Sequence, residues 1–107
     1  MGCRICSNAS LNGHLDCLEY AHTHGCPWDK ETCSNAALNG HLDCLKYAHE
    51  NGCPWDEWAC THALRNGHLK CLKYLCKKGC SWNTTPTNIH PNCIKYAYKH
   101  KCPFVIY

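Results

Sequence analysis

Cysteine and histidine are the residues in this sequence best equipped for chemistry, and they recur in register. The 107 residues hold thirteen Cys and nine His. Three sets of Cys share a phase: Cys6, Cys33, Cys60; Cys17, Cys44, Cys71, Cys93; and Cys26, Cys53, Cys80, Cys102. A fourth set mixes the two types, as His22, His49, Cys76. Imidazole and thiol differ in volume and polarity, so a swap between them has little packing logic. It has clear coordination logic, because imidazole nitrogen and thiolate sulfur both bind Zn²⁺ at about 2.0–2.3 Å. Zinc is therefore the cofactor this pattern predicts.

Helical geometry decides which residues would share an ion. Cys44 and His49 on one helix lie roughly 7.5 Å apart along its axis and about 140° around it, so they face opposite flanks. His49 and Cys53, one turn apart, share a flank. In a stacked array one flank meets the preceding unit and the other meets the next. The expected sites therefore lie between units. His22 and Cys26 would join Cys33 and Cys44; His49 and Cys53 would join Cys60 and Cys71. Cys76 and Cys80 would join Cys93, with His90 on the same helix face as Cys93. At the front, Cys3, Cys6 and Cys17 form a partial or fourth site with His14 available, and Cys102 is left over. The three full sets are Cys₃His, the closed type that is structural rather than catalytic. Thiolate-rich ligation suits zinc better than magnesium or calcium, and such sites would contribute folding energy directly.

Other readings stand beside this one. Free Cys also packs as a small buried hydrophobe. An iron–sulfur cluster would want Cys₄ ligation. Thirteen Cys in a secreted chain would read as a disulfide scaffold; no secretory signal is visible, and an odd count does not pair completely within one chain. The expected location is intracellular, in cytoplasm or nucleus. Gly2-Cys3 resembles an acylation address, but Cys6 stands where Ser or Thr is wanted.

The elements that must position these residues are read from a repeat. The stretch CPWDKETCSNAALNGHLDCLKYAHENGC, Cys26 to Cys53, nearly recurs as CPWDEWACTHALRNGHLKCLKYLCKKGC, Cys53 to Cys80. Residues 1–26 fit as a truncated copy and 81–107 as a shortened one. The expected units are 1–26, 27–53, 54–80 and 81–107, stacked as one domain because a single unit cannot close a core alone. Each unit reads as two short helices. Asp29 is a candidate N-cap, with Glu31 in the first turn. Gly40 breaks the first helix; the second begins near His41 and ends at Gly52, followed by Pro54. Pro91 is a candidate first residue of the last helix. No alternating strand pattern appears, so the fold class is all-α: a short α-solenoid of helix-turn-helix units, stapled by zinc.

Composition narrows function. The net charge of +3 is mild, which does not by itself argue for nucleic acid. No apolar run reaches membrane-spanning length. There is no glycine-rich phosphate loop and no nucleophile elbow, and a pattern of His and Cys repeated several times is not one active site. The chain is expected not to be an enzyme.

The segment NAALNGHLDCLKYAHENG, Asn35 to Gly52, resembles an ankyrin repeat in Ala36-Ala37, in Asn39-Gly40-His41-Leu42-Asp43 and in the closing Gly52. The resemblance covers 8–26, 35–53 and 62–80 well and 90–102 weakly. More narrowly, the phrase GHLDCLKYAHENGCPWD resembles cysteine-rich ankyrin-like repeats of giant viruses of amoebae and some protists, which would place the protein in an infected host cell. Ankyrin repeats are longer; the shortening implies that the β-hairpin between units is replaced by CPWD loops. Positions matching Cys33, Cys44 and His49 are usually aliphatic, and His14, His41 and His68 match a structural Gly-His. The resemblance implies a scaffold, expected to be monomeric, for a protein partner. Its contact surface would be Lys30, Glu31, Glu57, Trp58, Thr61, His62, Arg65 and the Asn83–Asn88 loop, where the copies differ. The alternatives are a zinc-repeat nucleic-acid binder, using Lys46, Lys70, Lys73, Lys77, Lys78, Lys95, Lys99 and Lys101, and a metal-buffering or thiol-redox protein. Trp28, Trp55 and Trp82 share a phase, with Phe104 in the shortened unit. They are expected to cover the inter-unit loops and shield the zinc; base stacking is the alternative.

Overall fold

The computed structural model describes residues 5–80 and 89–100. Cys3, the loop Asn83–Asn88, Trp82, Cys102, Phe104 and the rest of the tail lie outside the described residues. Seven helices follow one another: α1 (Ile5–Asn12), α2 (Leu15–Thr23), α3 (Lys30–Leu38), α4 (Leu42–Glu50), α5 (Glu57–Asn66), α6 (Leu69–Lys77) and α7 (Pro91–His100). All regular structure among the described residues is helical.

The helices begin and end where the local chemistry directs. The Asp29 carboxylate accepts from the Glu31 backbone N–H at 3.0 Å, and Asp56 does the same for Trp58 at 3.0 Å. These caps start α3 and α5 and leave the acids of the CPWD loops half outside the helix. At the other end of a unit, Gly52 takes φ +91°, while the Cys53 N–H bonds back to the Ala48 carbonyl at 2.9 Å. That left-handed closure turns the chain out of α4 at little steric cost. α7 starts at Pro91, whose missing N–H is harmless in a first turn.

Two layers result. α1, α3 and α5 pack in sequence to form one, and α2, α4 and α6 form the other, with α7 against α6. Each helix pair closes on itself through contacts α1–α2, α3–α4 and α5–α6. The core between layers is thin and made of small side chains. Ala36, Ala37, Ala59 and Ala63 bring the helices of the first layer close, and Leu18, Leu45, Leu72 and Leu75 fill the second. Cys6, Cys33, Cys60 and Cys44 are equally buried, at 0% exposure, so packing accounts for their positions as a small hydrophobe would.

Histidines lock successive units in register. A Cβ built on Gly40 would come within 2.5 Å of His68 Nδ1, and one on Gly13 within 2.6 Å of His41. His68 Nε2 bonds across the unit boundary to the Leu38 carbonyl at 3.0 Å. His90 continues this column: its ring packs on Gly67, and its backbone N–H donates to the Leu64 carbonyl at 2.9 Å. Amide side chains add rungs, Asn35 to the Ser7 carbonyl at 3.2 Å and Asn39 to the Leu11 carbonyl at 2.7 Å.

Candidate interaction face and the cysteine columns

The flanks of the second helix in each unit are used as the sequence implies, but by different partners. Cys44 faces backward, close enough to Glu19 of the preceding unit to feel its charge. His49 faces forward. Its ring lies flat on Trp55 with centroids 3.8 Å apart and meets the edge of Tyr74 at 6.0 Å. His22 repeats the arrangement with Trp28, at 3.8 Å, and Tyr47, at 5.9 Å. The signal for this was in the sequence: Tyr20, Tyr47, Tyr74 and Tyr96 share a phase beside the His and Trp columns. Trp28 and Trp55 thus sit at the unit boundaries, as aromatic partners of imidazoles.

The cysteines of α1, α3 and α5 turn inward to their own unit. Cys33 is hydrogen-bonded to Cys53, and Cys60 to both Cys76 and Cys80. Cys60 also reaches the Cys80 carbonyl at 3.5 Å, and Cys6 the Cys26 carbonyl at 3.9 Å. Cys53 and Cys80 point to the Asp29 and Asp56 carbonyls at 3.3 and 3.5 Å. Cys6 and Cys26, Cys33 and Cys53, and Cys60 and Cys80 each stand twenty residues apart, and Cys60 and Cys76 sixteen. Hydrogen bonding to the neighbouring thiols, then burial, pushes the Cys33 and Cys60 thiols far above their ordinary range.

The backward-facing column is also buried. Cys44 is pushed up to about 12 by burial, with Asp43 beside it, and Cys71 to about 11, by burial and then Asp43. Burial likewise raises Cys93, whose thiol lies 3.7 Å from the Ala63 carbonyl. Cys17, the first of the set, is exposed, and Cys26 is half-buried.

These positions bear on zinc. The inter-unit set His22, Cys26, Cys33 and Cys44 is not assembled, because His22 is stacked on Trp28 and the Cys33 thiol is engaged with Cys53. The set His49, Cys53, Cys60 and Cys71 is divided in the same way. His90 belongs to the histidine column over Gly67, and its Nδ1 accepts from the Asn92 N–H at 3.1 Å. His14, the spare ligand for the front set, precedes α2 and is exposed. Among the described residues no group of three or more His, Cys, Asp or Glu stands in a geometry to hold a metal ion. The two sets through His22 and His49 are thus not brought together among the described residues, and the front set includes Cys3, which lies outside them.

The sequence-variable residues of the first layer form a coherent face. Trp58, His62 and Arg65 follow at helical spacing along α5, and Trp58 is 49% exposed. Its ring is tilted against His62 at 5.6 Å. Desolvation, then Arg65, lowers the His62 pKa, and Asp56 opposes this weakly. Lys30 is exposed and pairs with Asp56 of the next loop at 3.5 Å, a contact worth about 0.5 kcal/mol. Glu31 is exposed and Glu57 half-buried. Thr61, expected on the contact surface, is instead buried at 9%, its hydroxyl bonded to the Glu57 carbonyl at 3.1 Å. The lysines invoked for nucleic acid serve the frame in part: Lys46 and Lys78 lie over the Tyr74 ring and Lys73 over Tyr96, each at 5.8 Å.

Stacked helix pairs with left-handed glycine closures and a histidine column define a repeat scaffold of the solenoid class. The family described as ankyrin repeats, in three copies, matches residues 6–86, and the chain belongs to it. A search of curated proteins found no match. No helix among the described residues is long and apolar enough to cross a membrane.

Proposed function

We propose that this chain is a non-catalytic scaffold that takes a protein partner on the outer face of α3 and α5, centred on Trp58. The ankyrin family supports a role in protein–protein interaction. The observation that carries the particular face is the exposed Trp58, in line with His62 and Arg65. Trp58 stands in phase with Glu31, so it is no part of the repeat frame. Tryptophan and arginine are the residue types that most often dominate a protein interface, and a large exposed aromatic on a rigid helix costs little ordering on binding.

A photo-crosslinking residue in place of His62, and in a control on the opposite layer in place of Lys46, tests the reading in the source cell. The proposal expects a discrete crosslinked protein from position 62, absent from position 46 and lost with Trp58→Ala. Equal crosslinking from both layers, or crosslinking to RNA or DNA instead, would overturn it.

A further inference from the structure

We propose that Cys76 and Cys60 form a thiol–disulfide exchange site for small anionic disulfides of the glutathione type. The third unit departs from the second at one chemically decisive position. His49, under Trp55, is replaced in phase by Cys76, which stands half-exposed near the end of α6. Cys76 is hydrogen-bonded to Cys60, which is wholly buried. The second unit has an inner pair of the same kind, Cys33 and Cys53, but both are buried, at 0% and 3% exposure. Of these two units, the third joins an inner thiol to one that solvent can reach; in the first unit the half-buried Cys26 stands beside buried Cys6, but its second helix carries His22 where the third has Cys76. Two sulfurs can bond without a third ligand, so the site needs none of the coordination geometry that the described residues lack.

Charge selects the substrate. From Leu69 to Lys78 the chain carries Lys70, Lys73, Lys77 and Lys78, all exposed, and no acid. A disulfide bearing carboxylates is drawn to such a helix, and salt weakens the attraction. The Cys76 thiolate attacks one sulfur of the small disulfide, forming a mixed disulfide and expelling one small thiolate. Cys60 gives up its proton and attacks the Cys76 sulfur, expelling the second. The protein loses two thiol hydrogens and gains one S–S bond; the small disulfide is reduced to two thiols. The product ties α5 to α6 within one unit. Cys80, also bonded to Cys60, can then exchange into the bridge.

The test treats the folded chain with oxidised glutathione, and in parallel with cationic cystamine, alkylates the remaining thiols and maps disulfides by peptide mass. The expected first product is Cys60–Cys76, formed at least about tenfold faster than any bridge involving Cys33, because exchange follows access to a thiolate. Glutathione should outpace cystamine at low salt, with the gap closing at high salt. Cys76→His should abolish oxidation of Cys60. His49→Cys should bring Cys33 into a disulfide at the rate seen in the third unit, which keeps the test decisive if Cys76→His fails to fold. Equal rates at Cys33 and Cys60 in the unaltered chain, or a Cys76 adduct that Cys60 never resolves, would overturn the proposal.

Discussion

The His49 imidazole lies on the Trp55 indole with ring centroids 3.8 Å apart and planes 5° from parallel. This contact joins a helix of one unit to the loop that opens the next, and Tyr74 closes it from the following unit. It explains why a histidine recurs in a place where ankyrin-type repeats usually carry an aliphatic residue. Stacking and edge contacts among aromatics add about 0.5–1.5 kcal/mol beyond the area they bury. Trp55→Ala should therefore lower unfolding free energy by about 2–3 kcal/mol, less than the loss of a fully buried Trp. Urea denaturation should show a lower midpoint with an unchanged slope.

The glycines divide into two classes with different costs. Gly40 has φ +74° and the His68 ring 2.5 Å from any added Cβ, whereas Gly52 has φ +91° and open space around it. Gly52→Ala should cost about 1–2 kcal/mol for the left-handed backbone alone. Gly40→Ala should cost clearly more, because the histidine column must shift as well. Paired denaturation curves for the two variants measure the difference.

Buried thiols make the fold sensitive to alkali. Cys44 is raised from an ordinary 9.0 to about 12 and Cys71 to about 11. Between those values the unfolded chain has lost protons that the folded chain retains, so stability falls as pH rises. Below the ordinary value both states hold the proton, and these groups add no slope. Urea midpoints should be flat with respect to these thiols up to about pH 8 and decline from about pH 9 upward. Cys44→Ala with Cys71→Ala should shallow that decline.

Trp58 should separate binding from folding. At 49% exposure, with one tilted histidine contact, its replacement by alanine should change stability by no more than about 0.5 kcal/mol. Thermal melting should be nearly unaltered in the same protein that loses its crosslinked partner.

Much of the frame was legible because it rests on local chemistry. Asp29, Gly52 and Pro91 mark helix ends through capping, left-handed closure and a missing N–H, and each signal is complete within a few residues. The opposite flanks of Cys44 and His49 also followed from helical rotation alone. What those flanks meet depends on the neighbouring unit. A recurrent His beside recurrent Cys looks like a ligand set until Trp55 and Tyr74 are seen to enclose it. The inner pairing of Cys33 with Cys53 depends on how α3 and the loop after α4 converge, which spacing on one helix cannot supply. Thr61 was misplaced for a similar reason, since the divergence between copies at that position does not reveal that its hydroxyl turns back on α5.

Packing, the histidine column and the aromatic stacks join the described units, and we propose that they hold the array without a metal staple. The most direct test records helicity by circular dichroism on protein expressed with zinc supplied, before and after a strong chelator, with native mass measured alongside. The expected result is a mass without bound metal and helicity unchanged by chelation. Stoichiometric zinc in the native mass, with loss of helix when it is removed, would contradict it.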